Sequence, residues 1–347
     1  MTIQLYDTHE LMGVIRTIKP VNTFWLDLCF PRAQTFDSEF IDFDVLDRGR
    51  RLAPFVAPTV GGKVMRQHGF TTKRFTPAYI KPKFVVDPRR TIKRLAGEAY
   101  TGTLSPQARR DAIVRELLQE GADMITRRME WMAANAIVNG TIVVSSPDYP
   151  AVTVDFGRAA NQTIALTGAQ QWGQAGINPV TLLEQWAERV AESSGFLPTE
   201  VVMGVNAWRV FAADQNVRNA LSQDFRGGTA SANIFEPAPL APANPWAMRG
   251  TLGPFRIWTY NDLWENDAGA VQPLLDQNTV VMVSPGGVEG VRAYGAILDP
   301  HNNYAATEVF ARNWIENDPA AEFLMMQSAP LPVVARPNAS LTARVLV

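Results

Sequence analysis

Few side chains in this sequence could carry chemistry. There are three histidines, His9, His68 and His301, and one cysteine, Cys29. A zinc site draws on His and Cys at short, regular spacing. The histidines are scattered through loop-like contexts, and no pair has that spacing. A single cysteine excludes an internal disulfide and a cysteine-based zinc cluster. It lies in the apolar run Phe24-Trp25-Leu26-Asp27-Leu28-Cys29-Phe30 and reads as a buried, inert thiol. Paired carboxylates can act as general acid and base. Asp42 with Asp44 and Glu316 with Asp318 are such pairs, but among 34 acidic residues close pairs arise by chance. No Gly-x-Ser-x-Gly elbow, phosphate-binding loop or Gly-x-Gly-x-x-Gly is present. Gly286-Gly287-Val288-Glu289-Gly290 has the wrong glycine spacing and reads as a turn. A lysine pressed against an asparagine by a carboxylate could form an isopeptide bond. Lys63, Lys73, Lys81, Lys83 and Lys93 are candidate nucleophiles, but the sequence names no partner. No catalytic, cofactor-binding or metal-ligating residue is read, and the chain reads as a non-enzyme.

Composition narrows the class. The chain has 347 residues, 46% hydrophobic and 19% charged, which is globular and long enough for a sizeable core. A pI near 6.0 argues against wrapping nucleic acid by charge alone. No apolar run approaches the ~20 residues of a membrane helix. Met1 to Arg16 carries Asp7 and Glu10 and lacks the basic-then-apolar pattern of an export signal.

The net charge of -2 conceals a division along the chain. Residues 1–47 hold 3 basic and 8 acidic residues. Residues 48–94 hold 13 basic residues against Asp87 alone, a balance of +12. Residues 140–347 hold 11 basic and 19 acidic residues. A +12 segment repels itself and must lie against acidic surface. Three readings are open: a match to the acidic remainder of the same chain, an arm reaching a neighbouring copy, or a nucleic-acid site. The basic residues are spread evenly and not clustered with stacking aromatics.

The elements that would position these charges follow from pattern. Residues 1–47 read as extended and irregular, with Phe24, Trp25, Phe30, Phe36, Phe40 and Phe43 as inserting rings. Pro54, Pro58, Pro77, Pro82 and Pro88 exclude helix from 48–94. Gly69–Phe75 and Tyr79–Val86 alternate in part, which predicts a long two-stranded hairpin needing outside support. Ser105-Pro106 and Asn139-Gly140 are start and stop signals for a helix. Val114, Leu118, Ile125, Met129, Met132 and Ala136 supply its apolar stripe. At ~1.5 Å per residue this helix is roughly 50 Å long. A hairpin is predicted over Thr141–Val144 and Ala151–Phe156, and a helix from Asn178-Pro179 to Gly195. Buried strands are predicted at Val201–Met203 and Val280–Val283, a helix over Ala207–Leu221, an exposed loop from Gly227 to Pro245 and a closing strand over Ser340–Val347. The whole is α+β.

Several unusual strings carry a resemblance. They are Leu52-Ala53-Pro54-Phe55-Val56-Ala57-Pro58, Phe75-Thr76-Pro77-Ala78-Tyr79-Ile80-Lys81-Pro82-Lys83, Gly290-Val291-Arg292-Ala293-Tyr294-Gly295 and Arg312-Asn313-Trp314. Asp318-Pro319, Glu322-Phe323 and Gln327-Ser328-Ala329-Pro330-Leu331 complete the set. Together they resemble the lambda-type family of major capsid (major head) proteins of tailed double-stranded DNA phages, which have the HK-97-type phage capsid fold. The resemblance spans about residues 50 to 335.

The resemblance implies an N-terminal arm (1–47), an extended E-loop (48–98) and a peripheral domain with a long spine helix (99–165). It further implies an axial domain (166–315) and a C-terminal return to the peripheral domain (316–347). It implies self-assembly into hexamers and pentamers of an icosahedral head that encloses double-stranded DNA non-specifically. A smaller procapsid would expand as DNA enters. Scaffold, portal and decoration proteins are the expected partners, the scaffold being a separate protein, and no membrane is involved. The location would be the virion, assembled in the host bacterial cytoplasm. Candidate subunit contacts are Arg48, Arg50, Arg51, Lys63, Arg66, Lys73, Arg74, Lys81, Lys83, Arg89 and Arg90 on the basic segment. Asp37, Glu39, Asp42 and Asp44 are their acidic counterparts on the arm. The alternatives are an encapsulin-type nanocompartment shell and a soluble α/β ligand-binding protein that dimerises through the hairpin.

Overall fold

The structure is a computed structural model. It describes residues 6–17, 21–46, 70–93, 104–146, 149–224, 244–266, 269–317 and 320–347, with scattered positions between 53 and 64. The loop expected over Gly227–Pro245 lies almost wholly outside the described residues.

The long helix runs over Pro106–Val138, 33 residues. Ser105 caps it, its hydroxyl accepting the Ala108 amide at 3.1 Å, and Pro106 occupies the first turn, where a missing N–H costs nothing. This helix serves two cores. Its first half buries Ile113, Val114, Leu117, Leu118 and Ile125 against Val86, Ala311, Leu324, Met326 and Leu11. Its second half buries Met129, Met132, Ala133, Ala136 and Ile137 against Phe24, Trp25, Phe30 and the 141–155 hairpin. A rod that joins two cores has to exceed the ~11–12-residue average.

A six-stranded mixed sheet forms the larger lobe. Its order is Thr163–Ala165, Ser340–Arg344, Thr279–Val283, Glu200–Gly204, Phe255–Tyr260 and Trp246–Leu252. Glu200–Gly204 and Thr279–Val283 are buried along their whole length. The two-residue period sorts their side chains. Val201, Met203, Val280 and Met282 face Leu183, Trp186, Val190 and Phe211 of the helices Pro179–Ser194 and Val205–Ala213. Val202, Val281 and Val283 face the core around the long helix. The last strand, expected beside the long helix and the hairpin, takes its ladder inside this sheet. It meets the helix through a hydroxyl: Thr342 donates to the Val138 carbonyl at 2.6 Å. Ser340 to Ala343 are all buried, so their backbone needs a strand on each side. The helix expected over 207–221 is two, Val205–Ala213 and Gln215–Asp224, broken at Asp214, whose backbone is extended and whose carboxylate caps the second.

Three further expectations are corrected. Helix is not excluded from 48–94: Pro88 opens the short helix Pro88–Ile92, because proline is accepted in a first turn. Residues 1–47 are not irregular throughout: they contain the helices Thr8–Thr17 and Trp25–Cys29 and the strands Arg32–Thr35 and Ile41–Leu46. The predicted hairpin within 69–86 does not form. Phe70–Phe75 pairs antiparallel with Ile41–Leu46, and Lys83–Val86 pairs with Glu322–Met325. Pro77 and Pro82 interrupt the ladder that would join the two strands, and each finds an uninterrupted partner elsewhere.

Candidate subunit interface

Two strands of the basic segment, Phe70–Phe75 and Lys83–Val86, pair with the body. Its strand Phe70–Phe75 crosses the acidic strand Ile41–Leu46 with Asp42 opposite Arg74. Arg74 grips Asp42 with two nitrogens, Nε at 2.7 Å and Nη2 at 2.9 Å. That hydrogen-bonded pairing holds the Asp42 carboxyl below the usual carboxylate range. Arg74 also lies over the Phe40 ring, 5.5 Å from its centroid. Beneath the pair, Phe43 stacks on Phe75 at 5.6 Å. One acid–base pair between the two segments is therefore made within the chain.

The other candidates are dispersed. Lys73 donates to the Asp155 carbonyl at 2.6 Å. Lys81 stands over its neighbour Tyr79, 4.9 Å from the ring. Lys83 lies over Phe323 at 3.9 Å and Trp314 at 5.1 Å. Arg90 meets Glu116 at 3.2 Å, and the Arg89 amide donates to Asp87 at the start of the helix Pro88–Ile92. Asp37 and Glu39 are exposed in the turn before Ile41–Leu46. Arg48, Arg50, Arg51, Lys63 and Arg66 lie outside the described residues, as does the side chain of Asp44. The structure gathers no cluster from these residues. Apolar side chains of the basic segment stand in solvent: Phe55 and Val64 are wholly or nearly exposed, and Val85 and Ile92 more than half.

Within the described residues, several of the unusual strings converge where this segment is rooted. Tyr79 donates to the Ala296 carbonyl at 2.6 Å and accepts the Leu298 amide at 3.0 Å. Ile80 exchanges backbone hydrogen bonds with Ser328 at 2.9 and 3.0 Å. A Cβ on Gly295 would stand 2.8 Å from Pro77 Cγ, so only glycine lets the proline seat there. Trp314 and Phe323 face each other across their strands and stack at 5.6 Å. These strings form a clamp around the base of the basic segment.

Sequence reasoning missed three polar groups, Glu130, Arg158 and the pair Arg110–Glu322. Glu130 accepts three backbone amides from Phe24, Trp25 and Leu26. Arg158 caps the end of the long helix, and Arg110 grips Glu322 beneath the three-stranded sheet. Each sits among apolar neighbours, and the only local signal is a charge interrupting an apolar stripe. Among the described residues no group of His, Cys, Asp or Glu side chains could hold a metal ion, and no helix is long and apolar enough to cross a membrane.

A rod joining two cores, a mixed sheet and a charged segment clamped at its root make up an HK-97-like fold. The fold is similar to that of the putative capsid protein of an Escherichia coli CFT073 prophage, with a TM-score of 0.75 and 24% identity, covering 99% of this chain and all of that one. A phage-related protein from Bordetella bronchiseptica RB50 is similar at a TM-score of 0.52, with 13% identity over 99% of this chain and 98% of that one. The chain belongs to the phage major capsid protein E family, which it matches over residues 7–345. The major capsid proteins of Escherichia phages lambda and N15 are 27% and 29% identical to it, over 97% of this chain and 98% of each of theirs. It is a structural component of a tailed-phage virion that associates with itself to form a shell, and it is not an enzyme.

Proposed function

We propose that copies of this chain form the hexamers and pentamers of an icosahedral head, joined through the N-terminal arm (1–47) and the E-loop (48–98). The other proposed units are a peripheral domain (99–165) around the long helix as spine, an axial domain (166–315) and the 316–347 return. The observation that carries the proposal is the solvent exposure of Phe55, Val64, Val85 and Ile92 on a segment with a +12 balance. Exposed apolar side chains on a charged arm mark a surface awaiting a partner. Acidic surface on a neighbouring copy, in residues 1–47 and 140–347, is its complement. Closed rings need one patch to meet a different patch, and two arms of opposite charge meet that requirement.

The same arms support a shell that forms around a separate scaffold as a smaller procapsid and expands as double-stranded DNA enters. Contacts made by arms can re-register while each body stays folded. The acidic body suits a container that does not grip its DNA. Portal and decoration proteins complete the set of proposed partners, and assembly takes place in the host bacterial cytoplasm. The test is the double charge reversal Lys81→Glu with Lys83→Glu, expressed with the neighbouring phage genes. Sedimentation and negative-stain microscopy should show folded subunits and no closed shells. Normal shells from this variant would sink the arm reading. Double-stranded DNA inside wild-type shells would separate a phage head from a cargo-holding nanocompartment.

A further inference from the structure

Phe55 stands wholly in solvent, and Val56 beside it is exposed. They lie in Leu52-Ala53-Pro54-Phe55-Val56-Ala57-Pro58, an apolar run with Arg48, Arg50 and Arg51 just before it. No acid occurs between Asp47 and Asp87. A phenyl ring left in water is stabilised only when something covers it. The nine residues from Leu46, where the paired strand ends, to Phe55 span up to about 30 Å when extended. The run is therefore an apolar knob on a basic arm, far enough from its root to reach another copy.

The body carries a matching hole. Between residues 21–23, the long helix and the strand Leu263–Glu265 lies a cavity of about 480 Å³. Val21, Trp246, Leu263, Trp264 and Leu274 give it apolar walls, and Leu263 is half exposed. Glu130 and Asp262 line it against Arg127 alone, and Glu265 is exposed on the same strand as Leu263. A second cavity, of about 550 Å³, lies against Tyr79–Lys81. It also has aromatic walls, but it carries Lys81 and Arg128 and no acid among the described residues that line it. Shape does not choose between the two cavities, and charge does.

We propose that the 480 Å³ cavity seats Phe55 of a neighbouring copy, with that copy's Arg48, Arg50 and Arg51 against Asp262 and Glu265. The proposal rests on the shell reading and names the surface that the arm meets. The ring gains apolar cover and the edges or faces of Trp246 and Trp264. The arginines find opposite charge at the mouth, which fixes the direction of entry. At the other cavity Lys81 and Arg128 repel the same arm. Knob and hole are different patches of one chain, so each copy offers one and receives one. The contact thus passes from copy to copy around a ring, as a closed capsomer requires.

Assembled shells of the full-length chain test it. Two differently tagged copies, one Phe55→Cys and the other Leu263→Cys, are expressed together with the neighbouring phage genes, and the isolated shells are oxidised. Cys29 is fully buried and stays silent. A disulfide dimer carrying both tags is the expected product. Phe55→Cys with Val143→Cys, at the basic cavity, should give none. Phe55→Ser should unfold at the wild-type urea concentration, because the ring is bare in the subunit. It should raise the subunit concentration needed for assembly about tenfold or more. Shells without the doubly tagged dimer, or dimers formed equally with Val143→Cys, would overturn the seat and leave the shell reading intact. So would Phe55→Ser assembling at the wild-type concentration. A wild-type chain that forms no shells would instead remove the shell reading, and the seat with it.

Discussion

Arg158 donates Nη1 to the carbonyl of Ile137 at 2.8 Å, in the last turn of the long helix. Its Nη2 takes the next carbonyl, Val138, at the same distance. Those carbonyls have no partner within the helix, and Ile137 is fully buried. The same guanidinium reaches the Thr163 hydroxyl at 2.9 Å and the Thr342 hydroxyl at 3.3 Å. One side chain thus ties the end of the rod to two adjacent strands of the six-stranded sheet. Burial pulls its pKa down to about 10, yet it stays charged at neutral pH, where the helix dipole favours it.

Removing that cap should loosen the joint between rod and sheet. Arg158→Ala takes the guanidinium donor from the Ile137 carbonyl and leaves the Val138 carbonyl with Thr342 alone, and should cost about 1–3 kcal/mol of subunit stability. Arg158→Lys should recover only part, since a point charge cannot fork between two carbonyls. Urea unfolding of the unassembled subunit checks both. An alanine variant as stable as the wild type would mean that the contacts are incidental.

At the other end of the rod, Arg110 and Glu322 form a bidentate pair at 2.7 and 2.8 Å with both side chains under 10% exposed. Asn313 donates to the same carboxylate at 3.1 Å. Breaking such a pair strands a charge, so Glu322→Gln or Arg110→Met should destabilise by about 3 kcal/mol. The double variant Arg110→Met with Glu322→Leu should recover most of the loss, because no buried charge remains. Chemical denaturation of the three variants decides it; full additivity of the single losses would contradict the argument.

The long helix was legible because both caps are local: Ser105-Pro106 and Asn139-Gly140 announce its ends. Glu200–Gly204 and Thr279–Val283 were legible from their apolar runs. The partner of Phe70–Phe75 was not. Its alternation suits any antiparallel strand, and pairing with Ile41–Leu46 is decided by the Phe43–Phe75 stack and the Asp42–Arg74 pair across the intervening chain. The helix Thr8–Thr17 left a readable trace in Leu11, Val14 and Ile15, which the scattered prolines and aromatics around it masked. Among the candidate contacts, residue type revealed charge but not destination. Lys83 meets aromatic rings and Lys73 a backbone carbonyl, where opposite charges had been the natural expectation. Glu130 and Arg158 were invisible, because a charge inside an apolar pattern looks the same whether it faces water or a buried backbone.

The string Gly290-Val291-Arg292-Ala293-Tyr294-Gly295 supplies a sharper test. A Cβ on Gly290 would collide with the Cys29 carbonyl and stand 2.6 Å from the Phe30 ring. Arg292 donates to the Phe30 carbonyl at 2.7 Å and meets Asp27 at 3.1 Å. The root of the N-terminal segment is therefore pressed onto this strand. Gly290→Ala must push backbone aside and should cost about 2 kcal/mol or more. Stability measurements, with Cys29 labelling as a local readout, should show the loss together with earlier exposure of the thiol. Unchanged labelling would mean that the strand yields and the segment does not.

The Asp42–Arg74 pair carries a pH signature that can be measured directly. The Asp42 carboxyl is held below the ordinary range by its hydrogen bonds to Arg74. Its contribution to pairing Ile41–Leu46 with Phe70–Phe75 is present above the unfolded carboxylate value and is lost as pH falls through the depressed one. Both side chains are exposed, so added salt should weaken the pair at neutral pH. Hydrogen exchange over residues 41–46 and 70–75, corrected for intrinsic rates, should show protection lost only in acid. Asp42→Asn should remove that acid-dependent step. If the buried strand Glu200–Gly204 lost protection together with these residues in acid, global unfolding would account for the result and the local titration would be wrong.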